Sequence, residues 1–174
     1  MIAVDTNILV YAHRRDMPHH DTAYAALERL AGGTAPWGIP WPCVHEFLAV
    51  STNLRIFQPP SPPDVAVRQV EIWMESPTLR LLGEFTGYWS ELRASFLGGK
   101  LTGAQVHDAR IHAICRASGV RELWSADRDF SRMRGLKLVN PCLGCRDRQA
   151  TATPPFASRP MALISDQGIQ SPKS

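Results

Sequence analysis

Uninterrupted apolar segments are short throughout this 174-residue sequence, because charged residues or prolines break every one of them. No segment therefore reaches the roughly 20 apolar residues that a membrane-spanning helix needs. Four cysteines are too few and too scattered for a disulfide scaffold in a chain of this length. Near the amino terminus, Asp5 interrupts the apolar run before the hydrophobic region of a signal peptide develops. These absences predict a soluble cytoplasmic protein.

Several motifs of common enzyme classes are also missing. The sequence has no Walker A motif, no G-x-G-x-x-G fingerprint and no G-x-S-x-G nucleophile elbow. Its formal net charge is +3, and residues 146–174 hold +2 of this through four basic and two acidic residues. Residues 1–145 carry only +1, so net charge by itself does not predict a nucleic-acid partner.

The periodicity of the apolar residues predicts one α/β domain with a mainly parallel sheet. Short apolar runs, predicted as strands, lie at residues 2–4, 38–39, 79–82, 122–125 and 137–139. Helical patterns lie between them, at residues 20–30, 43–53, 64–75, 88–97 and 104–117. We expect the domain to span residues 1–142, and residues 143–174, rich in Pro, Ser, Thr, Ala and Gln, to form a disordered tail.

Two predicted strands are followed directly by acids. Asp5 follows the strand at residues 2–4, and Asp127 follows "ELWSA", with Asp129 two residues later. Ligands of open parallel sheets bind beyond the carboxyl ends of the strands, which is where these acids lie. Loops commonly contain aspartate, so neither strand end would establish a site alone.

Two further acids lie on the apolar sides of predicted helices. Asp108 precedes Ile111 by three residues and shares its stripe, and Glu46 lies three residues after Cys43, on the side that also holds Phe47. An inward carboxylate is costly unless it is neutralised. Pairing with an arginine is the ordinary explanation for a single such acid.

Together, the four acids predict a cation site. Carboxylates that converge on one cleft repel one another and raise their own pKa values, and a bound divalent cation removes that repulsion. Oxygen ligands without clustered His or Cys favour Mg²⁺, with Mn²⁺ as the alternative, over Zn²⁺. Such cations activate water and stabilise the charge that develops on a phosphodiester, which predicts metal-dependent phosphodiester hydrolysis.

Four segments in this order, "AVDTNILVYA", "PCVHEFLAV", "HDARIHAIC" and "LWSADRDFSRMRGLKLVNP", closely resemble the PIN-domain ribonucleases. The resemblance covers residues 1–142 and is specifically to toxins of VapBC-type toxin–antitoxin pairs. It implies a PIN-like three-layer α/β/α fold and magnesium-dependent endoribonuclease activity through a metal-activated water. It also implies an RNA substrate, a cognate antitoxin and a homodimer.

The resemblance further implies roles for individual residues. Four acids match the family's catalytic metal-binding acids, namely Asp5, Glu46, Asp108 and Asp127. Asp129 matches a further acid that joins the site in some relatives. Asn7 and Ser125 match small polar positions that we expect to orient the carboxylates through hydrogen bonds. Thr6 is expected to cap the turn that leaves the first strand.

Basic residues near the last acids offer a weaker signal. Arg128, Arg132, Arg134 and Lys137 are expected near the acidic cleft, where they would favour an RNA backbone. A solvated surface turn explains each of them equally well.

Other functions remain open at this stage. A housekeeping PIN-domain nuclease would process RNA without an antitoxin. A non-catalytic RNA- or protein-binding module would share the fold, although it has no need of four converging carboxylates. A phosphoacceptor receiver domain also has acids at strand ends, but it offers no place for Glu46 and Asp108 on helices.

Overall fold

Five parallel strands form the centre of the protein in the computed structural model, which describes residues 1–143. They are β1 (Ile2–Val4), β2 (Trp37–Pro40), β3 (Leu79–Leu82), β4 (Glu122–Trp124) and β5 (Lys137–Val139). Their order in the sheet is β3-β2-β1-β4-β5, and every neighbouring pair is parallel. The predicted α/β class and parallel sheet are confirmed. The predicted tail lies outside the described residues except for Leu143, so the boundary at residue 142 stays a prediction.

Six helices connect the strands. They are α1 (Thr6–His13), α2 (His20–Ala31), α3 (Trp41–Ser51), α4 (Pro63–Met74), α5 (Tyr88–Gly98) and α6 (Val106–Ala117), with 3₁₀ turns at Gly103–Gln105 and Asp129–Arg132. The sequence does not predict α1, because its apolar run Ile8-Leu9-Val10 is short and lacks a helical period. Within the described residues, no helix has the length and apolar character needed to cross a membrane.

The strand order fixes where a ligand can bind. From the central strand β1 the chain moves to β2 on one side, whereas from β4 it moves to β5 on the other side. Because crossovers between parallel strands are right-handed, the helices after β1 and β2 cover one face and those between β3 and β4 cover the other. The carboxyl ends of β1 and β4 therefore flank the point where the strand order reverses, which is the usual ligand crevice of such sheets.

Tight packing around β2 holds this arrangement in place. Trp37, Phe47 and Trp73 are fully buried, and the rings of Phe47 and Trp73 meet edge to face at 4.9 Å between centroids. A Cβ at Gly38 would lie only 2.8 Å from Leu82 Cδ1 of the neighbouring strand. Glycine at this position therefore leaves room for the Leu82 side chain across this face of the sheet.

Candidate functional site

An open cleft of about 310 Å³ lies at the carboxyl ends of β1 and β4. Four acids line it: Asp5 from the end of β1, Glu46 from α3, Asp108 from the first turn of α6 and Asp127 from the loop after β4. The structure thus brings together the four acids that the sequence places at two strand ends and on two helices. We refer to this space as the acidic cleft.

Three carboxylates at one end of the acidic cleft are close enough to share an ion. One oxygen each of Asp108, Asp127 and Asp129 lies within 4.8 Å of the other two. The backbone N–H of Asp129 donates to Asp127 Oδ1 at 2.8 Å, and Gln105 Nε2 donates to Asp129 Oδ2 at 3.4 Å. Gln105 is itself held by a capping box with Thr102. Sequence reasoning did not connect Gln105 with the acids, although its position three residues before Asp108 places both on one side of the chain.

Asp5 is buried, with 4% of its surface exposed, and occupies the residue before α1. Its backbone carbonyl accepts from the N–H groups of Ile8 and Leu9, as expected at a helix start. Its carboxylate makes no capping bond to the second or third backbone N–H of α1, although aspartate often does so at this position. Instead, Oδ2 accepts from Ser125 Oγ and Asn7 Nδ2, both at 2.7 Å. The carboxylate is therefore fixed in the direction of the acidic cleft.

The hydroxyl of Ser125 joins the two strand ends. It donates to Asp5 and accepts from Asn7 Nδ2 and from the backbone N–H of Asp127, both at 3.0 Å. Asn7 Oδ1 in turn accepts from the N–H of Ala126 at 2.9 Å. This buried network positions the acid after β1 and the acid after β4 relative to each other.

Glu46 and Thr6 differ from the sequence-based expectation. Glu46 is exposed rather than buried, because the side of α3 that carries it opens onto the acidic cleft. Thr6 does not cap the turn after β1; its Oγ1 donates to Glu46 Oε2 at 2.6 Å. This bond spans from the start of α1 to α3 and holds the otherwise free glutamate carboxylate.

Burial and mutual repulsion change the acidity of two of these groups. Burial raises the pKa of Asp5 to about 6, although the hydrogen bonds from Ser125 and the Thr6 backbone partly oppose this. The pKa of Asp108 is also raised to about 6, first by burial and then by the charges of Asp127 and Asp5. A cleft whose carboxylates resist ionisation in this way favours a bound cation.

Removing the charge at Asp108 should stabilise the metal-free protein only above about pH 4, where the wild-type carboxyl group begins to ionise in the unfolded state. A raised carboxyl pKa makes the folded state hold its proton more tightly, so the stability contributed by Asp108 falls as pH rises from about 4 to 6. The free energy of unfolding of Asp108→Asn should match wild type near pH 4, exceed it increasingly up to pH 6 and then exceed it by a constant amount. Urea denaturation in a chelating buffer measures this difference.

The comparison with wild type is needed because buried histidine contributes the opposite trend. Burial lowers the pKa of His112 to about 4, so its contribution to stability rises with pH over the same range. His112 is present in both proteins and its effect cancels in the difference. A difference that stays constant from pH 4 to 8 would contradict the raised pKa of Asp108.

A buried thiol contacts the site without a predicted role. Cys43 Sγ lies 3.6 Å from Asp5 Oδ1, and burial raises the pKa of this thiol well above its usual range. The thiol is therefore a neutral neighbour of the carboxylate. Sequence reasoning placed Cys43 in the core, which is correct, but its position three residues before Glu46 also brings it to the site.

The acidic cleft also has an apolar part to its lining. This part consists of Val10, Tyr11, Met17, Val50, Phe57 and Ile111. We refer to the two aromatic residues, Tyr11 and Phe57, as the aromatic wall. The sequence did not single out these two residues or Met17, because they belong to the unassigned helix α1 and to two loops.

The basic residues divide into two groups. Arg132 lies 3.6 Å from Asp129, and Arg128 is exposed beside it. Lys137, by contrast, begins β5 and pairs with Glu122 at 3.0 Å, at the amino-terminal ends of the strands. The expectation that Lys137 lies near the acidic cleft is therefore wrong, because the chain crosses the sheet between β4 and β5. Arg134 precedes the same strand, and its carbonyl accepts from Arg116.

Comparisons with known proteins agree with this geometry. The family model of the PIN domain matches residues 2–136. Ribonuclease VapC48 and Ribonuclease VapC43 of Mycobacterium tuberculosis are each 34% identical to this chain, over 140 and 144 residues. These matches cover 80% and 83% of this chain and 97% of each relative.

Solved structures share the fold. VapBC2 from Rickettsia felis, bound to a DNA fragment from its promoter, matches with a TM-score of 0.57 and 25% identity, over 80% of this chain and 98% of that one. Mycobacterium tuberculosis VapC20, described as a sarcin-ricin loop cleaving toxin, matches with a TM-score of 0.55 and 16% identity, over 75% and 93%. The predicted PIN-like three-layer α/β/α fold is confirmed. The chain belongs to the PIN-domain family, in the group that contains the VapC ribonucleases.

Proposed function

We propose that this protein is a magnesium-dependent endoribonuclease and acts as the toxin of a toxin–antitoxin pair. The observation that carries the proposal is the convergence of Asp5, Glu46, Asp108 and Asp127 in one open cleft. The chain is also 34% identical, over most of its length, to relatives named ribonucleases. A purely structural role for these acids would not explain why the pKa values of Asp5 and Asp108 are raised.

The residues of the acidic cleft fit a hard divalent cation. The set whose atoms lie close enough to share an ion consists only of carboxylates, within the described residues, which suits Mg²⁺ or Mn²⁺. We assign the cation to Asp5, Glu46, Asp108 and Asp127, with Asp129 alongside. Asp108, Asp127 and Asp129 form the close set, and Asp5 and Glu46 line the same cleft. When bound, such a cation neutralises the carboxylates, polarises the phosphate and lowers the pKa of water.

The chain's own residues orient these ligands. Ser125 and Asn7 hold Asp5, and Thr6 holds Glu46, each through hydrogen bonds of 2.6 to 2.7 Å. Because these bonds are formed within the protein, the carboxylates do not have to reorganise when a phosphodiester enters. Glu46 and Asp127 are exposed at the cleft, so an RNA strand can approach this group of acids from solvent.

The antitoxin partner is supported by the structural relatives. The Rickettsia felis protein was solved as a VapBC complex, and a similar structure is a toxin–antitoxin complex from Klebsiella pneumoniae. These relatives favour the toxin over the housekeeping nuclease, which would have no antitoxin. The cognate antitoxin is therefore part of the proposal, and the homodimer implied by the resemblance stays a prediction, as does the cytoplasmic location.

Incubation of the purified chain with total cellular RNA tests the proposal. With Mg²⁺ we expect discrete fragments, with excess EDTA no cleavage, and on readdition of Mg²⁺ full recovery. The Asp108→Asn variant should give no fragments under any of these conditions, because it loses one carboxylate ligand. Denaturing gel electrophoresis and mapping of the fragment ends measure the result.

Two outcomes would lead to different conclusions. Fragments that persist in EDTA, or that Asp108→Asn produces at the wild-type rate, would rule out the assigned metal site. A folded wild-type protein that neither cuts RNA nor binds Mg²⁺ in calorimetry would favour the non-catalytic binding module instead.

A further inference from the structure

The acidic cleft is lined by two kinds of side chain. Besides the acids and the polar side chains of Thr6, Asn7 and His107, it is lined by Val10, Tyr11, Met17, Val50, Phe57 and Ile111. None of the described residues that line the cleft is lysine or arginine. The apolar part of the lining is therefore suited to an uncharged and largely apolar part of a ligand.

Phe57 is the most firmly held member of the aromatic wall. The guanidinium carbon of Arg14 lies over its ring, 3.9 Å from the centroid, in a cation–π contact. Arg14 is fixed in turn by two bonds to Asp16, of 2.6 and 2.9 Å, and one to the Pro59 carbonyl at 3.2 Å. The backbone N–H of Phe57 also donates to Asn53 at 3.0 Å.

These contacts also define what Arg14 does not do. Its side chain is only 9% exposed, and its guanidinium is occupied by Asp16, Pro59 and the Phe57 ring. It is therefore not available as a phosphate ligand. Its effect is to stiffen the Phe57 ring at the edge of the cleft, which lowers the conformational entropy lost when a flat group packs there.

An RNA chain has one group of the required kind next to each phosphate. A nucleobase is flat, uncharged and aromatic, and aromatic side chains bind unpaired bases by stacking. We propose that the aromatic wall binds the base of a nucleotide adjoining the cleaved phosphodiester, with Phe57 as the main stacking surface. This inference rests on the proposed ribonuclease function.

The dimensions of the cleft agree with a single base as its occupant. A space of about 310 Å³ is at the small end of ligand pockets and holds a nucleotide rather than a helix. In an A-form duplex the bases are stacked and paired, so none can enter a side cleft without leaving its partner. Another candidate occupant, an apolar side chain of the antitoxin, would not depend on the bases of the RNA.

A cycle of protein and substrate changes tests the proposal. The full-length protein with Mg²⁺ is given a short unpaired oligoribonucleotide that it cuts at one mapped site, and matched oligonucleotides that lack the base on either side of that site. Wild type should lose about tenfold in kcat/KM when the bound base is removed. Phe57→Ala should be about tenfold slower on the intact substrate but insensitive to the missing base, because the stacking partner is already gone.

Further variants separate stacking from packing. Phe57→Tyr keeps the ring and should still lose rate when the base is missing, whereas Phe57→Leu keeps only apolar bulk and should be insensitive to the missing base, like Phe57→Ala. Phe85→Ala removes an exposed phenylalanine that does not line the cleft and serves as the matched control. The melting temperature of each variant is measured alongside, so that unfolded protein is not counted as slow enzyme.

The outcomes separate this inference from the proposed function. If wild type cuts RNA but the effects of Phe57→Ala and of the missing base simply multiply, or if annealed and unpaired substrates are cut equally fast, the base subsite is wrong and the nuclease stands. If wild type cuts nothing, the nuclease is wrong, and affinity for the unpaired oligonucleotide in EDTA decides the subsite. Weaker binding by Phe57→Ala would support it, and equal binding would overturn it.

Discussion

Asp5→Asn is expected to reduce RNA cleavage by at least about a hundredfold while making the metal-free protein more stable at pH 7.5. Cleavage falls because the variant loses a carboxylate at the reversal point of the sheet. Stability rises because burial raises the pKa of Asp5 to about 6, so the wild-type protein must hold an unfavourable charge at neutral pH. From an ordinary value of 3.8, the shift corresponds to roughly 3 kcal/mol in the free energy of unfolding.

The opposite direction of the two effects makes the experiment decisive. Asparagine keeps an oxygen that can accept from Ser125 and Asn7, so the network around position 5 has no reason to collapse. Cleavage of the mapped oligonucleotide and urea denaturation in EDTA are measured on the same preparation. Asp64→Asn, which removes an exposed acid on α4, is the matched control and should cleave like wild type. Equal cleavage by Asp5→Asn and wild type would disprove the catalytic role of Asp5. A lower free energy of unfolding for Asp5→Asn than for wild type would disprove the destabilising effect of the Asp5 charge.

Ser125→Ala is expected to lower cleavage by about 10- to 100-fold without removing any carboxylate. The hydroxyl lost in this variant donates to Asp5 and accepts from Asn7 and from the Asp127 backbone. Its hydrogen bond keeps the pKa of Asp5 lower than burial alone would place it. Removing it should therefore move the acidic limb of the kcat/KM–pH profile to higher pH and weaken Mg²⁺ binding in calorimetry.

A second buried serine provides the control for this variant. Ser95 on α5 bonds His112 Nδ1 through its hydroxyl at 2.8 Å, and it does not line the acidic cleft. Ser95→Ala and Ser125→Ala should each cost about 1–3 kcal/mol of stability, because each leaves buried polar groups unpaired. Only Ser125→Ala should change the pH profile, and Ser125→Thr should restore it. A shifted profile in both alanine variants would mean that general destabilisation, and not the orientation of Asp5, is responsible.

The sequence was most informative where an acid interrupts an apolar pattern. Asp5 and Asp127 could be placed together because parallel strands end at one edge of a sheet, and Asp108 because it shares a helical stripe with Ile111. The same helical spacing also placed Glu46 at the cleft, but the prediction that its side chain is buried was wrong. Periodicity identifies the inner side of a helix and does not indicate whether that side is open to solvent. The sequence did not predict that Asp108, Asp127 and Asp129 lie close together, because this depends on the tertiary fold.

Other features depended on contacts that periodicity does not encode. The role of Thr6 is a bond to Glu46, forty residues away along the chain. Phe57 belongs to a loop without periodicity. Its ring is held by a cation–π contact with Arg14, which lies at the end of a helix that was not predicted. Lys137 was misplaced because sequence distance from Asp127 is short while the chain between them traverses the sheet. In each case the missing information was tertiary geometry.

The central position of β1 also determines when activity can first arise during synthesis. The acidic cleft draws on chain segments from Asp5 to Asp129, and β1 meets β4 only after some 120 further residues have been made. At about 5–20 residues per second, the ribosome needs roughly 6 to 24 s to add them. The nascent chain therefore cannot assemble the cleft until Asp127 has been made, and the cell meets the complete site only as the last part of the domain emerges.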